Sequence, residues 1–99
     1  MSVYLIAQII IHDADEYKKY TDEFRTIIMR YGGAVVARGL PAEIIEGEWP
    51  FPRTILLKFR DGDGAKRWYA DADYQRIVQH RFKSSRANLV VLKGTDDDF

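Results

Sequence analysis

The segment from Val3 to His12 is apolar on both of its faces. It is rich in β-branched residues, which favour a strand, and alternate side chains of a strand point to opposite sides of the sheet. Val3, Leu5, Ala7, Ile9 and Ile11 fall on one side, and Tyr4, Ile6, Gln8 and Ile10 on the other. In a domain made of one sheet and one helical layer, helices cover one sheet face and the other normally meets water. The second face of this strand is too apolar for that. A chain of 99 residues is one domain, so the excess apolar face must find its cover outside the chain.

Downstream segments complete a recognisable order. Asp13 caps a helix, with Glu16 three residues later as its capping-box partner. Tyr17, Tyr20, Phe24, Ile27, Ile28 and Tyr31 make one apolar stripe at helical spacing, and Gly32-Gly33 ends it. Ala34 to Arg38 reads as a strand that is interrupted at Gly39-Leu40-Pro41 and resumes from Ala42 to Gly47, as a bulged or bent edge strand would. Trp49-Pro50-Phe51-Pro52 is a turn. Arg53 to Arg60 is a strand with Ile55, Leu57 and Phe59 in phase. Asp61 to Gly64 opens a second helical region that pauses at Asp71-Ala72, with Asp73 placed to cap its continuation. Tyr74, Ile77, Val78, Arg81 and Phe82 share a face of that continuation, and Asn88 to Lys93 is the last strand.

The order strand, helix, two strands, helix, strand predicts an α+β, ferredoxin-like β-α-β-β-α-β split sandwich over residues 1–94, followed by an acidic flexible tail at 95–99. Helices on one face leave the apolar opposite face to a second copy, and a two-fold homodimer is the commonest such solution.

Composition removes several function classes. Fifteen basic and fifteen acidic residues cancel and are interleaved, so no basic footprint selects nucleic acid. The one basic stretch, Arg76, His80, Arg81, Lys83 and Arg86, reads at helical spacing as a solvated or dimer-facing stripe. The absence of cysteine excludes disulfides, thiolate catalysis and cysteine-ligated zinc. No apolar run reaches membrane-spanning length and no signal sequence opens the chain. These features fit a cytoplasmic protein that binds neither membrane nor nucleic acid.

With these segments placed, the chain resembles the family called domain of unknown function 1330, in the dimeric α/β-barrel superfamily. The residues that carry the likeness are Tyr4-Leu5-Ile6, His12-Asp13, Tyr31-Gly32-Gly33, Arg38-Gly39, Glu46-Gly47-Glu48-Trp49-Pro50, Trp68-Tyr69 and Asp73-Tyr74-Gln75. The resemblance implies a homodimer whose two four-stranded sheets close face to face. It brings no activity with it, because the wider superfamily spans cofactor-independent oxygenases, haem-degrading enzymes, lactone isomerases, peroxidases and ligand-binding regulators.

Among candidate site residues, His12 at the end of the first strand and Tyr69 beside the helix break could move a proton, giving two candidate catalytic groups. Arg38 offers a planar fork for a carboxylate, although a structural pairing with Glu46 would serve equally. Trp49, Trp68 and Tyr74 supply flat apolar walls, and Arg81 a second cation. His12 and His80 have no metal-ligand spacing, Ser84 and Ser85 sit in no nucleophile elbow, and Asp96 to Asp98 read as solvated, so neither metal nor cofactor is expected. The expected function is binding of a small aromatic or carboxylated molecule between sheet and helices. The alternative is a cofactor-independent oxygenase or isomerase acting on such a molecule.

Overall fold

A computed structural model describes residues 1–95. β1 (Val3–Ile11) leads through α1 (Ala14–Met29) to β2 (Gly33–Gly39) and β3 (Arg53–Phe59). α2 (Gly62–Ala70) and α3 (Ala72–Ser84) then lead to β4 (Ser85–Lys93). The four strands form one antiparallel sheet in the order β2-β3-β1-β4, the arrangement of the ferredoxin-like split sandwich. The expected acidic tail lies, beyond Thr95, outside the described residues.

Each helix begins where an aspartate can accept an orphan backbone N–H. Asp13 accepts from Glu16, Asp61 from Gly64 and Asp71 from Tyr74. The sequence placed the third cap at Asp73; the structure places it two residues earlier, and Asp73 instead pairs with Arg30 at 2.7 Å. Asp71 also accepts from the Tyr31 hydroxyl, which ties the α2–α3 junction to the end of α1. Hydrogen bonds from Tyr31 and from backbone N–H groups hold the Asp71 carboxyl below the usual carboxylate range. α1 stops at Met29, and Gly32, at φ +76°, turns the chain back toward the sheet. Gly33 then opens β2 with no room for a side chain: a Cβ there would stand 2.5 Å from the Phe59 ring.

The helices cover the sheet face that carries Val3, Leu5, Ala7 and Ile9 of β1, with Leu57 and Phe59 of β3. Trp68, Tyr74, Ile77 and Val78 from α2 and α3, and Tyr17, Tyr20, Ile27 and Ile28 from α1, close the core from above. The opposite face carries Tyr4, Ile6, Leu56, Val90 and Leu92, and no element of the described chain covers it. Val90 and Leu92 are about half exposed. The two-sided apolarity of β1 is thus real, and only one side is satisfied within the chain.

Two boundaries differ from the sequence reading. The strand expected over Ala42–Gly47 is absent; Leu40 to Pro52 is a loop in which Ile45 is 96% exposed. β2 is an edge strand, and its last pairing is Gly39 with Thr54. Continuing it would require β3 to extend backward through Pro50 and Pro52, which have no N–H to donate to the ladder. The loop is instead closed by the Ala42 N–H on the Pro52 carbonyl at 2.9 Å. β4 also begins at Ser85 rather than Asn88. The Ser84 and Ser85 hydroxyls fold back onto the His80 and Arg81 carbonyls, both at 2.6 Å, and end the helix at that point.

Replacing Asp71 removes a cap and the Tyr31 anchor together. We expect Asp71→Ala to lower unfolding stability by about 1–2 kcal/mol, read from urea denaturation, with Asp73→Ala costing less.

Candidate functional site

A cavity of about 150 Å³ lies between the helical layer and the sheet. Its floor is a row of inward-facing positions across the strands: Arg38 of β2, Ile55 of β3, Ala7 of β1 and Leu89 of β4. Ala7 is the reason for the space. Its neighbours on the same face of β1 are Leu5 and Ile9, and a methyl group between them leaves the volume of a larger side chain unfilled. Tyr17, Tyr20, Thr21, Phe24 and Arg25 of α1 form one wall, with Trp68 of α2 and Tyr74 and Arg81 of α3 forming the other. The exposed members, Thr21, Arg25 and Arg38, mark where the cavity meets solvent between α1 and β2.

A bulge delivers Arg38 to this floor. Val35 pairs with Leu57, but the register then shifts so that Ala37 pairs with Leu56 and Arg38 with Ile55. Without the extra residue Val36, alternation would turn Arg38 to the outer face. The sequence reading anticipated a bulge in this edge strand at Gly39-Leu40-Pro41; it lies a few residues earlier, where it re-aims an arginine.

The lining carries four arginines, Arg25, Arg38, Arg53 and Arg81, and no aspartate or glutamate among the described residues. Among the described residues none of the four forms an ion pair; the carboxylates of the surface pair with Lys18, Lys19, Arg30, Arg76 and His80 instead. Arg81 is only 6% exposed. Its guanidinium lies over the Tyr20 ring at 5.6 Å and over the Phe82 ring at 5.4 Å, and its Nε has no partner. Arg53 lies over the Tyr17 ring at 5.2 Å, also with an unpartnered Nε. The third buried side-chain donor without a partner, Trp68 Nε1, belongs to the same wall.

The Tyr20 and Tyr74 hydroxyls meet at 3.0 Å, so one donates to the other and the second proton remains free. Burial pushes the Tyr20 phenol well above its ordinary range, with Tyr74 adding to the effect. Burial raises Tyr74 and Tyr17 as well, partly offset by the charges of Arg81 and Arg53 respectively. Near neutrality these phenols are therefore donors and not bases.

The structure brings Arg38, Trp68, Tyr74 and Arg81 together on this cavity. Arg81, read both as part of a solvated or dimer-facing stripe and as a second cation of the site, is buried beside it. Tyr69 lies next door, in a second, more open cavity of about 280 Å³ shared with Arg81, Phe82, Ser85, Ala87 and Leu89. Trp49 and His12 are not among the lining residues. Trp49 donates from Nε1 to Thr54 Oγ1 at 2.8 Å, and Thr54 pairs with Gln8 on the outer sheet face. His12 is exposed at the end of β1, where its backbone N–H holds the Ser84 carbonyl at 2.8 Å. His80 Nδ1 stands 2.5 Å from Glu16 Oε2, which holds that carboxyl below its usual range. Among the described residues no three His, Asp or Glu side chains converge as a metal shell requires. Sequence reasoning passed over Arg53, Tyr17 and Tyr20. Arg53 was detectable, since it stands in phase with Ile55, Leu57 and Phe59 on the buried side of β3.

The chain matches the family described as domain of unknown function DUF1330 over residues 2–95. It belongs to that family. No curated protein matches it. Among solved structures, it is similar to the RPA0582 protein of unknown function from Rhodopseudomonas palustris, with a TM-score of 0.81 and 17% identity over 94% of this chain and 82% of that one. A dimeric ferredoxin-like protein of unknown function from Jannaschia sp. CCS1 aligns with a TM-score of 0.70 and 15% identity over 95% and 100% of the two chains. The cofactor-independent oxygenase SnoaB from Streptomyces nogalater aligns with a TM-score of 0.67 and 14% identity over 94% and 92%. At these identities the likeness shows the ferredoxin-like fold alone.

The raised phenols set an alkaline limit. A group whose folded pKa exceeds its unfolded value contributes stability that is complete below the unfolded value, about 10 for tyrosine, and is lost as pH rises through the folded value. Unfolding stability should thus fall above about pH 10, and Tyr20→Phe should flatten that fall when denaturation is repeated across the alkaline range.

Proposed function

We propose that this DUF1330 protein is a homodimer that binds a small organic anion, one ring in size, in the cavity between its sheet and its helices. The observation that carries the reading is the charge of the lining: four arginines against no carboxylate among the described residues. A guanidinium as buried as Arg81 normally has an anion beside it, because an unpaired buried charge is costly. Here its neighbours are two aromatic faces, which attract a cation without neutralising it. A ligand carboxylate would supply the missing charge, with Arg25 and Arg38 at the mouth drawing it in. The volume, about 150 Å³, is the size of cavity that accepts a benzene ring in a protein core, and the Tyr17, Tyr20, Phe24, Trp68 and Tyr74 rings offer faces and edges to it.

The fold is also that of a cofactor-independent oxygenase, and chemistry on the bound ring is the second reading. It asks for a group that removes a proton. The cavity phenols are held protonated, and no histidine or carboxylate lines the space among the described residues. Tyr69 in the adjoining cavity and the exposed His12 are the groups left for such a role. Binding is therefore the better-supported function.

Dimerisation rests on the outer sheet face. A four-stranded face bearing Tyr4, Ile6, Leu56, Val90 and Leu92 is self-complementary across a two-fold axis, and an interface of about 800 Å² per copy is ordinary.

Arg81→Met separates binding from folding. Benzoate should bind the native protein measurably in isothermal titration calorimetry and should lose about tenfold to a hundredfold in affinity in the variant. The ligand-free variant should be more stable than the native protein by about 1–4 kcal/mol, since an uncompensated buried charge has gone. Lower stability together with unchanged benzoate affinity would make Arg81 a structural residue and remove the basis of the reading. For the dimer, Ile6→Glu combined with Val90→Glu should give monomer or aggregate in size-exclusion chromatography with light scattering; an intact dimer would contradict the face assignment.

A further inference from the structure

We infer that the ligand is a dianion, a small molecule with two carboxylates held at separate points of the cavity. This rests on the anion-binding reading and adds the number and placement of the ligand's charges. The inner part of the cavity holds two arginines, and they are not equivalent. Arg53 rises from the sheet on β3, in the row that pairs it with Ile9. Arg81 descends from the helical layer on α3. Each guanidinium is stacked on its own tyrosine of α1, Arg53 on Tyr17 at 5.2 Å and Arg81 on Tyr20 at 5.6 Å. The two rings have their centroids 5.6 Å apart. The cations thus flank a tyrosine pair, one from each layer of the fold.

Both have a buried Nε without a partner, and neither has a carboxylate of the described chain within ion-pair distance. One ligand carboxylate that engaged Arg81 would leave Arg53 uncompensated. Two carboxylates on one small frame neutralise both, and each can use the planar fork of its own guanidinium. Arg25 and Arg38 do not alter this count, because they are exposed at the mouth and water screens them. A ring with carboxylates on non-adjacent carbons has the right shape, placing its edge against the tyrosine pair and one charge at each arginine.

The test compares three probes on the native protein by calorimetry: isophthalate, its isosteric half-amide 3-carbamoylbenzoate, and the smaller benzoate. Isophthalate should bind about tenfold to a hundredfold more tightly than either monoanion, as the loss of one charged hydrogen-bonded contact implies. The half-amide keeps the shape and loses one charge, so it should behave as benzoate does. In Arg53→Met, with folding checked by circular dichroism, isophthalate should fall to the affinity of benzoate while benzoate itself changes little. Equal binding of isophthalate and its half-amide by the native protein overturns the dianion and leaves the anion-binding reading standing. Failure of all three probes to bind overturns both. Because the probe comparison is made on the native protein, it decides the matter even if Arg53→Met does not fold.

Discussion

A guanidinium enclosed by protein and facing no acid among the described residues is the constraint around which this molecule is arranged. Arg81 sits on the same face of α3 as Tyr74, Ile77 and Val78, positions that a helix normally gives to its core. Its stem can pack like any apolar chain, but its head cannot be left among hydrocarbon without cost. The aromatic rings of Tyr20 and Phe82 on either side supply a partial answer, since their faces carry negative charge density. They also fix the guanidinium in place. The guanidinium has no carboxylate partner among the described residues, and the neighbouring Arg53 and Tyr17 repeat the arrangement from the sheet side.

The cavity beside Arg81 has a simple origin in the strands. Ala7 is the small residue in the inward series of β1, and the bulge at Val36 brings Arg38 into the same row. A leucine at position 7 would fill the space, and an unbulged β2 would leave Arg38 in solvent on the other face. Cavity and charge therefore depend on two local departures from regular patterning. Such departures, tolerated at some expense in packing, are where a binding site differs from a core.

Much of the fold was legible because its signals are local. Three aspartates mark three helix starts, β-branched content marks β1, and period-two alternation marks β3. Capping of α3 was misplaced because Asp71 and Asp73 are equally able to accept a backbone N–H, and only the tertiary partner of each, Tyr31 or Arg30, decides between them. The strand expected over 42–47 failed for a nonlocal reason: an edge strand continues only if its neighbour does. Of the residues that line the cavity, Trp68, Tyr74 and Arg81 were readable from aromatics and a cation clustered about a helix break, and Arg38 from a glycine-flanked arginine. Trp49, close to Arg38 in sequence, is carried by the intervening loop to Thr54 on the outer face and does not line the cavity. Tyr17 and Tyr20 looked like ordinary stripe residues, and their role depends on what stands opposite them across the layer.

The two faces of the sheet are not independent. Alternation means that the residues flanking Ala7 in sequence, Ile6 and Gln8, lie on the outer surface, so the backbone that floors the cavity also forms the middle of the uncovered face. The molecule measures only 15 Å along its shortest axis, the thickness of one sheet and one layer of helices. A floor that thin, bearing an under-filled position at its centre, gains little rigidity from the helical side where the space is. A second sheet packed against Ile6, Leu56 and Val90 would hold the strands at fixed register and twist, and so hold Arg38, Ile55 and Leu89 at fixed distances across the floor. The uncovered apolar face of β1 and the gap at Ala7 thus share one backbone, and packing on the first would stiffen the second.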